Sequence, residues 1–254
     1  VRVPKPEKTL EGQAGRGKLL KEAVYGWQYI RARPGLFGLL MLFAATNFLL
    51  NMGLVLFTPL ILNLSTPATL GILTSGAGIG VLAGSILMSV WGGPKRKTMG
   101  IFVSEIITGV AVFLVGFTTN LVFLGIGAFI AFCGTPIVNA CSQVIWQRKT
   151  APDIQGRVFS FRRVIAFSSI PLAYLVAGPL ADQVFNPLLV EGGRWADSVG
   201  RFIGVGPGRG IGLIYTLLGI LTIISSVIAF SYAPLRNVED ELPDMVPEKV
   251  VPAV

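Results

Sequence analysis

The 254-residue chain contains no histidine, which removes the commonest metal ligand and the commonest general base together. Histidine-dependent intramembrane proteases and haem sites are excluded with it. Cysteine is almost as scarce. Cys133 and Cys141 stand eight positions apart, about 12 Å along a helix that rises about 1.5 Å per residue, too far to bridge each other. They read as small apolar residues, and neither a disulfide framework nor a metal centre is expected. Charge is also thin, at 13% of residues against about a quarter in soluble domains, while 52% of residues are apolar. Too little polar surface remains to clothe a soluble globule of this length.

What is present is a set of long apolar runs. Crossing about 30 Å of hydrocarbon takes about 20 residues of helix, and six stretches meet that length: Leu36–Leu62, Thr69–Trp91, Met99–Phe117, Leu121–Ile145, Val164–Ala181 and Ile211–Tyr232. The segments between them alternate in charge. Val1–Gly35 carries eight Lys and Arg, Gly92–Thr98 three, Trp146–Arg163 five and the tail from Ala233 two; Asn63–Ala68 and Thr118–Asn120 carry none, and Asp182–Gly210 three. Basic loops are retained in the cytoplasm, so both termini are expected there, with an even number of crossings between them. The net charge of +8 therefore reports topology and not nucleic-acid binding. The fold class expected is an all-α membrane protein with six transmembrane helices.

The flanks have their own character. Residues 1–35 read as a cytoplasmic linker in which Leu20, Ala23, Val24, Trp27 and Ile30 recur at helical spacing among basic residues, an amphipathic helix lying in the interface and halted by Pro34-Gly35. A soluble linker helix is the other reading of that pattern. The first apolar run lies behind this polar segment, so it is not a cleaved signal peptide. The start at Val1, without Met and within a polar linker, is expected of a piece of something longer. Residues 36–232 form the transmembrane bundle, and 233–254, acidic and proline-rich, are expected to be a disordered cytoplasmic tail. Asp182–Gly210 carries a Gly204-x-Gly206 pattern, but no strand precedes it and the charge rule puts it outside, so a flexible outer hairpin is expected instead of a phosphate cradle.

Polar side chains inside a membrane are costly unless they face protein or a water-filled cavity, which makes their placement a pointer to function. In the first span Asn47, Asn51 and Thr58 share a face, and in the fourth Thr135, Asn139 and Ser142 or Gln143 do. A lined solute cavity is one reading; hydrogen bonds that merely hold a bundle together are the other. Glu105 is the one acidic residue deep within an expected span, about 12 Å of helix beyond Lys97. It is either a proton-coupling carboxyl or half of a structural ion pair with an arginine. Gly76, Gly80 and Gly84 form a stripe of small residues that lets another helix approach, in this chain or in another half. Pro136, Pro171 and Gly178-Pro179 mark bends. No constellation of acid, base or metal ligands converges, so an enzyme is not expected.

Several of these runs together carry a resemblance. Trp91-Gly-Gly-Pro-Lys-Arg-Lys97 after a glycine-rich helix resembles the signature loop of the major facilitator superfamily, with Gly84 and Gly92 at the glycine positions and Lys95, Arg96 and Lys97 as the basic cluster; Met88 stands where the motif has its acidic residue. Pro136-Ile-Val-Asn139-Ala-Cys-Ser142-Gln143, then Gln147–Val158 with Gln155, Gly156 and Arg157, then Pro171–Asp182, resemble the tenth helix, following loop and eleventh helix of the macrolide-efflux-like drug:proton antiporter branch. The resemblance covers Leu19–Tyr232 and implies the carboxy-terminal six-helix half of such a transporter, built of inverted three-helix repeats with the substrate site between the halves. It implies export of amphipathic organic compounds in exchange for protons, a lipid bilayer and an amino-terminal six-helix half as partners, and no cofactor. The first and fourth spans would line the cavity, and the third would be peripheral. The second and fifth, through Gly76, Gly80, Gly84, Gly178 and Pro179, would meet the other half. Lys95–Lys97 with Gln155-Gly156-Arg157 would form a cytoplasmic gate. A self-contained six-helix scaffold or a homo-oligomeric channel is the competing reading.

Overall fold

The structure, a computed structural model, describes residues 19–245, and side chains from residue 24 onward. The linker before Leu19 and the tail after residue 245 lie outside the described residues. Among the described residues six helices are long and apolar enough to cross a membrane. They are α2 (Pro34–Leu64), α3 (Pro67–Trp91), α4 (Lys97–Phe117), α5 (Leu121–Lys149), α6 (Gln155–Pro179) and, after short elements to be described, α9 (Arg209–Ser231); α1 (Leu19–Arg31) precedes them. The boundaries follow local chemistry. Pro34 and Pro67 open α2 and α3 in the first turn, where a missing N–H costs nothing. Thr66 and Asn120 cap α3 and α5, each accepting a backbone N–H with its side-chain oxygen. Gly92 ends α3 at φ 73°, a left-handed conformation that favours glycine.

The packing order reveals an internal repeat. Helix α3 lies on α5, α5 on α4, α4 on α9, α9 on α2 and α2 on α6. Shifting every span three places along the chain turns this set of neighbours into itself, so spans one to three and four to six are two equivalent triplets. The arc ends at α3 and α6, and these carry the most open faces: Ile72, Leu82, Ile86 and Val90 on one, and Val164, Phe167, Tyr174 and Leu175 on the other, are all more than half exposed. At the centre, α4 and α9 close on each other through Gly109, Gly116, Gly212 and Gly219, where added Cβ atoms would meet the opposing backbone. That seven-residue spacing on both helices is a close-packing seam.

Other glycines correct an expectation. Gly80 and Gly84 do not await another half; they pack against the carbonyls of Phe129 and Cys133 on α5, within this chain. Each step of four residues turns the stripe by about 40° around the helix, so Gly76 leaves that contact and has nothing within 4 Å, as has Gly178.

The basic end of the bundle is a packed layer. Helix α1 lays Tyr29 and Ile30 against Leu36, Ile154 and Val158, and Trp27 against Phe37 and Phe161. The segment expected to be a disordered tail from Ala233 is ordered up to residue 245, as α10 (Ala233–Arg236) and α11 (Val238–Glu241). Leu235 and Val238 are buried, and Gly35 leaves room for the Pro234 carbonyl. The Glu239 carboxylate accepts hydrogen bonds from the Lys97 and Thr98 N–H groups at 3.0 and 2.8 Å and from the Thr98 hydroxyl at 2.8 Å, capping α4. Lys149, its side chain 5% exposed, donates to the Glu239 and Leu242 carbonyls and pairs with Asp244 at 2.8 Å.

The opposite end differs from expectation too. The fifth span runs from Gln155 to Leu188, through a π-helical stretch Leu180–Phe185 into α7 (Asn186–Leu188), well past the expected Val164–Ala181. The loop beyond it is not a free hairpin: Leu189, Ile203 on α8 (Gly200–Ile203) and Leu213 form a small apolar cluster that fixes it.

Candidate functional site

A cavity of about 260 Å³ lies inside the bundle, walled by α2, α3, α4, α5 and α9. Its lining is mostly apolar, as a site for an organic molecule requires, with a few convergent polar groups. Asn47 and Thr58 reach it from α2, Thr135 and Asn139 from α5, and Glu105 and Thr108 from α4. Phe43, Phe57 and Phe132 supply aromatic wall, and Tyr215 stands on α9 with its hydroxyl donating to the Gly53 carbonyl.

Several of these groups are tied to their own helices. The Asn47 amide donates to the Phe43 carbonyl at 2.7 Å, and the Thr46 hydroxyl to the Leu42 carbonyl at 3.0 Å. Such bonds to the preceding turn leave the Asn47 carboxamide oxygen available as an acceptor. Glu105 is 7% exposed, has Thr46 as its side-chain neighbour, and forms no ion pair among the described residues. The arginine partner proposed for it from sequence is therefore absent among the described residues.

Three of the seven residues expected on the cavity are placed elsewhere. Asn51 turns away and donates to the Asn47 carbonyl at 2.7 Å and to the Ser169 hydroxyl at 3.4 Å, linking α2 to α6. Ser142 and Gln143 accept from the Arg162 guanidinium at 3.2 and 3.0 Å. They share a side of α5 with Thr135 but sit about 10–12 Å further along its axis, beyond the cavity floor. Arg162 also lies over the rings of Phe43 and Trp146, each 5.6 Å from its guanidinium carbon. It borders a smaller pocket of about 120 Å³ that shares Phe43, Asn47 and Asn139 with the main cavity.

Sequence reasoning missed Thr46, Thr74, Thr108, Tyr215 and Arg162. Thr108 was findable, being three residues from Glu105 and so on its face. Arg162 had been counted among loop cations because no apolar window admits it. At the basic end the expected gate residues engage different partners. Arg96 pairs with Asp240 at 2.9 Å, and Lys97 donates its ammonium to the Gly92 carbonyl at 3.0 Å. Gln155 caps α5 through the Gln147 and Thr150 carbonyls, both at 3.0 Å, and Arg157 lies over the Tyr25 ring. Lys95 and Gly156 are exposed, and no atom stands within 4 Å of a Cβ added at Gly156. Pro179 is the last residue of α6 before the π-helical stretch, exposed beside half-buried Gly178.

Comparison with known proteins agrees with this architecture. The chain is 23% identical over 191 residues to macrolide efflux protein A of Streptococcus pyogenes, covering 72% of this chain and 46% of the relative. It is 29% identical over 140 residues to the multidrug efflux pump Tap of Mycolicibacterium fortuitum, covering 54% of this chain and 34% of the relative. The chain thus spans about half the length, or less, of the curated relatives it matches. No solved structure matches. With six membrane-crossing helices in two equivalent triplets, and residues 1–174 matching the family by sequence, the chain belongs to the Major Facilitator Superfamily.

Proposed function

We propose that this chain acts as the carboxy-terminal six-helix half of a secondary exporter that carries amphipathic organic compounds, macrolides among them, out of the cell in exchange for protons. The observation that carries the proposal is the cavity itself, in which polar groups from spans one, three and four converge within an apolar bundle. A static bundle has no use for such a space, whereas a carrier needs a site near mid-membrane. The names and lengths of the similar efflux proteins support the reading. So do the open apolar faces of α3 and α6, which suit contact with an amino-terminal half through Gly76 and Gly178. Both termini lie in the cytoplasm in this reading, since the basic segments gather at the end of the bundle where α1 and α11 pack. Lys95–Lys97 and Gln155–Arg157 then carry the cytoplasmic gate, anchored by the acidic segment around Glu239 and Asp240.

Substitution Asn139→Leu tests the proposal, because it removes both hydrogen-bonding groups at nearly constant volume. Cells expressing the complete reading frame should lose at least tenfold in erythromycin efflux rate, a loss of about 1.4 kcal/mol or more in transport-competent binding, with protein abundance in the membrane unchanged. Efflux at the original rate would remove Asn139 from the substrate path.

A further inference from the structure

We infer that the small pocket beside Arg162 is an oxyanion subsite, which takes the carboxylate or sulfonate head of an amphipathic compound whose apolar body lies in the main cavity. The inference rests on the cavity being the substrate site, as proposed above, and adds a class of ligand that it accepts.

Arg162 stands about 10 Å along α6 from Gln155, within the fifth span. Its guanidinium donates to the Gln143 and Ser142 side chains, and these neutral acceptors fix its orientation without balancing its charge. The rings of Phe43 and Trp146, each 5.6 Å away, supply only part of the compensation. Arg162 forms no ion pair among the described residues. No carboxylate lines its pocket, and Glu105 borders the main cavity but not this one. A guanidinium cannot shed its proton to escape the cost. A charge kept in a membrane span without a countercharge marks a binding position.

The pocket walls say what fits. The space is about 120 Å³, and apart from Arg162 its polar residues are Asn47 and Asn139. The Asn139 amide makes no hydrogen bond among the described residues, so its N–H groups are free to join the guanidinium on one oxyanion. The volume suits a head group and not an organic body. Phe43, Asn47 and Asn139 also line the cavity of about 260 Å³, so a molecule with its anionic end against Arg162 continues directly into the apolar space. An inorganic anion gains only the polar part of this site, and a neutral amphiphile only the apolar part.

The test uses fusidate, a carboxylate on a large apolar body, and its methyl ester, which keeps the body and loses the charge. Binding of each to the purified full-length protein is measured by tryptophan fluorescence. The parent should prefer fusidate at least tenfold over the ester. Arg162→Gln should lower that preference at least tenfold, and Arg162→Lys should restore part of it. A merely structural brace between α5 and α6 predicts equal weakening of both probes, which overturns the inference, as does an unchanged preference. If Arg162→Gln fails to accumulate, the parent protein decides: equal affinity for acid and ester overturns the inference. Phosphatidylglycerol in the detergent should not displace fusidate; displacement would assign the site to a lipid phosphate and overturn it as well. Failure of the cavity reading shows separately, as erythromycin exported at the original rate by Asn139→Leu.

Discussion

Replacing Gly84 with leucine is expected to abolish the folded bundle. Even the first carbon of a side chain at this position would collide with the Cys133 carbonyl on α5. Overpacking costs about 1–3 kcal/mol where flexible side chains can yield; here the opposing atoms are backbone, so α3 and α5 must separate along their length. A Cβ added at Gly76 meets nothing within 4 Å, so the same substitution there should leave the bundle intact. Detergent-solubilised yield of monodisperse protein, read by size-exclusion chromatography, separates the two. Gly84→Leu should give little or none, and Gly76→Leu close to the parent amount. If Gly76 meets an amino-terminal half, Gly76→Leu should accumulate normally in the complete transporter yet export poorly. Parent-like recovery of Gly84→Leu would contradict the close approach of α3 and α5.

Lys149→Met is expected to lower stability by on the order of 3 kcal/mol, because it strips three partners at once from a nearly buried ammonium. The Glu239 and Leu242 carbonyls lose their donor and Asp244 its countercharge. These groups hold the segment after Tyr232 against the starts of α4 and the end of α5, so its release should propagate. Glu239→Gln should cost less, about 1–2 kcal/mol, since it weakens the cap of α4 without emptying it. The two effects should fall short of additivity, as both substitutions free the same segment. Thermal denaturation in detergent checks this through the midpoint of each variant and of the pair. A Lys149→Met midpoint equal to the parent's would mean the segment is not held by this contact.

The parts of the fold that were legible in the sequence are those decided by solvent transfer. Apolar runs of sufficient length and the alternation of basic loops depend on residue type alone, and the six spans appear where they were expected to within a few residues, save the fifth. That span was drawn short because Arg157, Arg162 and Arg163 at one end and Asp182 at the other disqualify any apolar window, although long side chains near a helix end reach polar surroundings readily. The tail was misread for a related reason. Its acidic, proline-rich composition predicts disorder when summed over the segment, but Leu235, Val238, Glu239 and Asp244 have specific partners on α2, α4 and α5 that no local property reveals.

The candidate site was half legible. Asn47 with Thr58, and Thr135 with Asn139, show as paired polar positions on apolar helices. Asn51, Ser142 and Gln143 continue the same faces, so sequence spacing cannot tell that the cavity ends before them; that is fixed by where α6 crosses with Ser169 and Arg162. Thr46 is a single polar residue without a partner at helical spacing and Tyr215 has only Thr222, seven residues on; the packing of α2 against α9, and of α9 against α4, brings them to the cavity. The glycine stripe on α3 announced a close partner, but not which helix it would be.

The central claim, that the cavity takes up the transported compound, is tested most directly by thiol alkylation at its wall. In the complete protein with Cys133→Ala and Cys141→Ala, an Asn139→Cys side chain is exposed to N-ethylmaleimide in membranes with and without saturating erythromycin, and the alkylation rate is measured. Occupancy of the cavity should slow that rate at least tenfold, with a control cysteine in place of exposed Thr119 unaffected. An unchanged rate at position 139, in membranes that demonstrably export erythromycin, would place the transport path elsewhere.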